Sequence, residues 1–361
     1  MIKNKPNNFI GEWFGYRLYP DVKCRADQVS DLQSGLCPFL SEITGRDCLC
    51  EKPTASQGVC TITTTKSGTK DWMVCPYRSL DNAFLTSVVE RIFGCKDSPY
   101  IIPVSSLAYS QILSELKTAV ANGQPAFLFF QDKLGGEINV PPTAESPELK
   151  FDITLVPVSF SGNTLQIHEF AIYEVQTMDF HGSYRHAVNA LQSAVDLHGE
   201  RFPQEVGKNS DWLGRKIEGP NIANVFKRTF YQLLLKFRLA EEHTCAGVAL
   251  GLPEAVWDSW SPHLNSPTLQ PYSDYRVLEG TDPERLSNSW IFVFETDRNS
   301  DAAREPLQSR YQIRVDVDAL LRLAFSDVPD YISHNLVDRV RAGITRRVSE
   351  VYPSVEWGGS K

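Results

Sequence analysis

The apolar positions of this chain change period several times, and each change predicts an element. Over residues 105–123, Tyr109, Ile112, Leu113, Leu116 and Val120 recur at three- and four-residue steps, the beat of a half-buried helix. Ser105 or Ser106 would cap it and Gly123 would stop it. The run AFLFFQ at 126–131 then predicts a short buried strand. A Gly-Gly turn and a Pro-rich polar loop separate it from KFDITLVPVSF at 150–160, a second strand. Residues 161–163, Ser-Gly-Asn, form a tight turn, and 165–177 predict a long third strand. A helix opens at Ser183, with Tyr184, Ala187, Val188, Leu191 and Val195 on one face and Gly199 at its end. Another spans 221–242, burying Ile222, Val225, Phe226, Phe230, Leu233, Leu234 and Phe237. TCAGVALGL (244–252) and WIFVFE (290–295) predict two more strands, residues 258–289 an extended loop without periodicity, and 315–325 a helix.

The resulting order is helix, three strands, two helices and a strand, which predicts an α+β layout with a mixed central sheet flanked by helices. No G-x-G-x-x-G or G-x-x-x-x-G-K-[ST] element opens any of the helices, which argues against a nucleotide-binding α/β fold. Residues 41–80 contrast with all of this: Gly45, Pro53, Gly58, Gly68 and Pro76 stand among many Ser and Thr with few apolar periods. That segment reads as a loop-built module, and the chain divides into residues 1–95 and 96–361.

Composition narrows the field. With 361 residues, 42% hydrophobic and 22% charged, the chain is an ordinary globular protein, neither disordered nor a coiled coil. No apolar run approaches the roughly 18 residues that cross a bilayer, so no membrane partner is expected. The start, MIKNKPNNFIGEWF, lacks an apolar signal core, so a cytoplasmic chain is expected. The net charge of −8 argues against a coat of nucleic acid, but charge is unevenly spread. Lys208, Arg215, Lys216, Lys227, Arg228, Lys236 and Arg238 face only Asp211 and Glu218 in their segment, and Arg339, Arg341, Arg346 and Arg347 crowd together near the end. Only the facing surface sets the potential that a polyanion meets, although on composition alone solvated helix faces are the commoner cause of such runs.

Six of the eight cysteines (Cys24, Cys37, Cys48, Cys50, Cys60 and Cys75) precede residue 76. In a chain without a secretion signal, clustered thiols more often hold a metal than form disulfides. The spacing carries no C-x-x-C knuckle, so scattered buried thiols acting as small hydrophobes remain an alternative, and spacing does not choose between Cys48 and Cys50. If a metal is held there, it supplies the order that the segment's weak hydrophobic pattern does not.

Two acids stand where acids are rare. Asp152 lies inside the second predicted strand, and Glu174 inside the third, with Gln176 on the same face two residues on. If those strands pair across the 161–163 turn they are antiparallel, and Asp152 and Glu174 meet at the end far from the turn. Adjacent carboxylates need a cation between them, and magnesium, held by oxygen ligands, would suit phosphoryl chemistry. The alternative is a solvated sheet edge where Lys or Arg pairs with the acids.

The D…E-x-Q arrangement in a strand hairpin flanked by helices resembles the PD-(D/E)-x-K nuclease motif, and the closer likeness is to NotI-type type II restriction endonucleases. It is carried by SGLCPFL (34–40), QGVC (57–60), DWMVCP (71–76), FQDKLGGE (130–137), SPELKFDITL (146–155), EVQTMDFHGSYRHAV (174–188), EGPNIANVFKRTFYQ (218–232) and SWIFVFE (289–295), in that order over residues 8–321. The resemblance implies a PD-(D/E)-x-K core preceded by a four-cysteine module. It implies Glu137, Asp152, Glu174 and Gln176 as catalytic residues, with Asp152 and Glu174 holding Mg²⁺ and Gln176 in the usual lysine position. It also implies a structural iron, with zinc the default of coordination chemistry, on Cys37, Cys50, Cys60 and Cys75, leaving Cys24, Cys48, Cys95 and Cys245 as free thiols.

The activity so implied is Mg²⁺-dependent hydrolysis of double-stranded DNA at a GC-rich, GGCC-centred palindrome, leaving a 5′-phosphate and a 3′-hydroxyl. It would belong to a bacterial cytoplasmic homodimer paired with a cognate DNA methyltransferase. Asp179, His181, Tyr184 and Arg185, just beyond the catalytic strand, would read bases, and Lys227 and Arg228 would grip phosphates. The competing expectations are a non-catalytic DNA-binding regulator with a structural four-cysteine site, and a redox protein, for which nothing outside the cysteines speaks.

Overall fold

The computed structural model describes residues 6–142, 148–325 and 342. The arginines at 339–347 lie outside the described residues. The chain opens with a small antiparallel sheet of β1 (Asn8–Trp13), β2 (Tyr16–Arg17), β3 (Val59–Thr64) and β4 (Lys70–Met73), in the order β2-β1-β3-β4. Two short helices, α1 (Val29–Ser34) and α2 (Pro38–Thr44), fill the span between β2 and β3, and α3 (Asn82–Phe93) follows under an Asp81 cap. Residues 41–80 are thus not built from loops alone. The β3 segment, VCTITT, is rich in β-branched residues and buried almost throughout, so it lacks the alternation that marks a half-exposed strand.

The middle of the chain forms β5 (Tyr100–Pro103), α4 (Ser110–Ala121), β6 (Ala126–Phe130), a hairpin of β7 (Ile138–Val140) and β8 (Leu149–Phe151), then β9 (Ile153–Ser161), β10 (Thr164–Ile167) and β11 (Phe170–Val175). Next come β12 (Phe180–Gly182), α5 (Arg185–His198), α6 (Phe202–Lys208), β13 (Ile217–Pro220), α7 (Ile222–Arg238), β14 (Cys245–Pro253) and α8 (Glu254–Trp260). The last elements are β15 (Leu269–Tyr272), β16 (Tyr275–Leu278), β17 (Ser289–Thr296), β18 (Leu307–Arg314) and α9 (Val317–Phe325). Residues 258–289, expected as an extended loop, contain the end of α8 and the β15–β16 hairpin. These strands are only four residues long, β15 largely exposed and β16 buried only at Val277 and Leu278, too short for a period to register.

Ten strands make one mixed sheet in the order β15-β16-β18-β17-β14-β11-β9-β6-β5, with β10 beside β9. The expected α+β layout, a large mixed sheet flanked by helices, is what the chain adopts. On one face α3 packs Phe84, Leu85 and Val88 against Phe127, Phe129, Leu155, Tyr173, Phe292 and Phe294; Cys37, Cys60 and Cys75 belong to the same core. On the other, Val225, Phe230, Leu233 and Phe237 of α7 and Trp257 and Trp260 of α8 cover Ile172, Val248, Leu250, Ile291 and Val293. Among the described residues, no helix is long and apolar enough to cross a membrane.

The expected third strand is broken. β9 and β10 form a hairpin whose register sets Ile167 against Val158, whereas β11 sets Ala171 against Leu155. One extra residue is taken up around His168–Glu169. Continued unchanged, the hairpin register would set Glu174 opposite Phe151; the extra residue sets it opposite Asp152. Because strand side chains alternate between faces, this bulge decides which pair of side chains meets.

Candidate active site

Asp152 occupies the bend between β8 and β9. Phe151 pairs with Ile138 in the outer hairpin, and Ile153 pairs with Tyr173 in the central sheet, so Asp152 belongs to neither ladder. Its backbone and side chain are free to bond elsewhere, and both turn to β11. The Asp152 N–H donates to Glu174 Oε1 at 3.3 Å, and the Val175 N–H donates to Asp152 Oδ2 at 3.0 Å. Each acid is therefore fixed by the other's strand. Alternation along β11 turns Tyr173 toward α3 and Ile172 and Glu174 toward α7.

On that side Glu174 meets a side chain that the sequence reading counted only as surface charge. Lys236, near the end of α7 and 2% exposed, donates from Nζ to Glu174 Oε2 at 2.5 Å, with Nζ also 5.6 Å from the centre of the Phe151 ring. The signal was there in principle: Lys236 falls three residues after Leu233 and beside Phe237, on the edge of the buried stripe. Its partner, however, is 62 residues away in sequence. The alternative expectation, acids paired with Lys or Arg at a solvated edge, is met in its pairing but not in its place: a lysine does pair with Glu174, and the pair is buried.

Gln176 follows the end of β11, where its N–H donates to the Gly251 carbonyl at 3.0 Å. Its side-chain carbonyl accepts a hydrogen bond from Thr229 of α7, and its amide nitrogen donates to the Thr177 carbonyl. Glu137 arrives from the turn before β7, carried in by Gly135 and Gly136, both at positive φ. At Gly135 a Cβ would come 2.0 Å from Val104 Cγ1, so the close approach there requires glycine. Glu137, Asp152, Glu174 and Gln176 line one open cleft of about 310 Å³, together with Lys236 and Arg228.

The cleft is short of positive charge. Burial first, then the neighbouring Asp152, push the Glu174 carboxyl up to about 8 against the opposing pull of Lys236. Burial and Asp152 likewise raise Glu137. Neighbouring acidic side chains beside an opening fit magnesium, which takes one or two protein carboxylates and completes its shell with water and phosphate oxygens. Among the described residues, no group of three or more His, Cys, Asp or Glu side chains is arranged to hold a metal unaided.

Among the expected nucleic-acid contacts, Arg228 lines the cleft and pairs with Asp179 at 3.3 Å, both well exposed. Lys227, His181 and Arg185 are exposed but do not line the cleft, and Tyr184 is half-buried against the core of the amino-terminal sheet.

Cys37, Cys60 and Cys75 are buried near one another: proximity to Cys75, then burial, raises the Cys60 thiol, which donates to the Gly58 carbonyl at 3.3 Å, and burial raises Cys37. Proximity to Cys60 holds Cys75 below the ordinary thiol range, helped by Lys52 and the N–H groups of Tyr77 and Arg78. Gly58 N–H donates to Cys50 Sγ at 3.4 Å, whereas Cys48 turns to the Thr44 hydroxyl. The donors suit zinc or iron in kind, without being gathered into a closed shell. No protein-family model matches the chain, and no curated protein matches it either.

Proposed function

We propose that the protein is a Mg²⁺-dependent endonuclease acting on double-stranded DNA, with the cleft at the β9–β11 junction as its PD-(D/E)-x-K-type centre. The observation that supports this most directly is the reciprocal fixing of Asp152 and Glu174 by each other's strand, on the wall of an opening that Glu137 and Gln176 also line. Asp152 and Glu174 would hold the magnesium, which when bound polarises the phosphoryl oxygen and acidifies the attacking water. The chain's own part is positional. Gln176, restrained by Thr229, has one amide hydrogen left with which to orient a water. Arg228 at the rim is placed to exchange Asp179 for a backbone phosphate. A GC-rich palindrome cut by two copies of the chain, protected by a cognate methyltransferase, belongs to the same reading.

Long GC-rich DNA incubated with the protein and Mg²⁺ should give discrete fragments. Glu174→Ala should abolish cutting while binding measured in Ca²⁺ persists. Intact DNA with wild-type protein that nonetheless binds it would leave the non-catalytic regulator instead. The thiol half of the reading, a structural iron or zinc on Cys37, Cys50, Cys60 and Cys75, predicts one such metal per chain by elemental analysis, and metal-free folded protein would refute it.

A further inference from the structure

The Gln176 position is neutral, and its side chain is bound by Thr229 and Thr177, so the cleft's cation has to come from elsewhere. We infer that Lys236 of α7 supplies the positive charge that the D…E-x-Q strand lacks, acting as a positioning residue through Glu174. This rests on the endonuclease reading of the same cleft.

Three observations carry it. Lys236 is the buried cation of the cleft, held between Glu174 Oε2 at 2.5 Å and the Phe151 ring, next to Asp152 in sequence. Thr229 and Lys236 are two turns apart on one face of α7, so a single helix edge sets both Gln176 and Glu174. Finally, Asp152 N–H takes Oε1 of Glu174 while Lys236 takes Oε2, so the ammonium fixes the carboxylate plane from the side opposite the sheet. An ammonium need not follow the acidic strand in sequence to act there; it needs only to reach the same oxygens.

The test compares wild type, Lys236→Gln, Lys236→Arg and the exchange Gln176→Lys/Lys236→Gln, reading cleavage kcat, DNA affinity in Ca²⁺, Mg²⁺ affinity by calorimetry and Tm. A wild type that does not cut defeats the endonuclease reading itself, and the inference with it. If wild type cuts, Lys236→Gln should lose about a hundredfold or more in kcat, the scale of removing one preorganised charge, with DNA affinity unchanged within about threefold. Lys236→Arg should recover most of that loss, and the exchange should cut at least about tenfold faster than Lys236→Gln. Wild-type kcat and Mg²⁺ affinity in Lys236→Gln would overturn the inference. Should the neutral variant fail to fold, the exchange decides: folded and cutting upholds it, while unfolded or inert overturns it.

Discussion

Burial and the neighbouring Asp152 push the Glu174 carboxyl up to about 8, and a carboxyl must lose its proton to bind a metal, so on the proposed reading Glu174 is a measurable reporter. The sign follows from the direction of the shift. Below the raised pKa the proton competes with Mg²⁺, and above it there is nothing left to displace. Apparent Mg²⁺ affinity should therefore climb by about tenfold per pH unit from 6 toward 8 and then level off. Calorimetry in two buffers of different ionisation enthalpy should register close to one proton released per ion near pH 7. Asp152→Asn removes the second cause of the shift, so the rise should move to lower pH, even as the loss of a proposed Mg²⁺ ligand weakens binding throughout. A flat pH profile with wild-type protein would mean that the ion sits elsewhere.

At the level of elements, what the sequence announced and what it hid have different physical origins. The strands at 126–130, 153–161 and 245–253 and the helices α5 and α7 were legible because each buries one stripe or one continuous run, and period alone reveals that. Asp152 and Glu174 were legible as anomalies, being acids within apolar strands. Hidden were the features that depend on a partner far away in sequence. The break at His168–Glu169 has no glycine or proline to mark it; it exists because the outer half of β9 pairs with β10 and the inner half with β11. The break between β8 and β9 at Asp152 likewise follows from the pairing of Phe151 with Ile138. Lys236 looked like one more helix charge until the fold set it against Glu174. The β18 strand, LQSRYQIR, alternates weakly and shows itself as a strand only through its ladder with β17. In each case local propensity is silent and tertiary pairing decides.

Across the whole molecule, the amino-terminal sheet and the central sheet are joined by buried charge as well as by apolar packing. Arg78, fully buried, holds both oxygens of Glu12 at 3.2 Å and donates to the Glu305 carbonyl. Arg17 reaches Glu305 at 2.5 Å and Asp71 at 2.9 Å, and Lys23 takes the other Glu305 oxygen at 2.8 Å. Arg78 lies in the turn after Cys75, whose residues Pro76, Tyr77, Ser79 and Leu80 form one wall of the acidic cleft, so the network braces the site from behind. Removing one member leaves its partner as an uncompensated charge in the interior, which costs far more than the intact pair contributes. Glu12→Ala should therefore lower stability by about 3–5 kcal/mol in denaturant unfolding, and replacing the pair together, as Glu12→Leu/Arg78→Met, should cost markedly less. The two variants also separate bracing from folding. If the turn must be held by charge to shape the cleft wall, the double variant will be well folded yet weaker than wild type in the proposed Mg²⁺ binding and DNA cleavage; if packing alone holds the wall, both proposed properties will survive in the double variant.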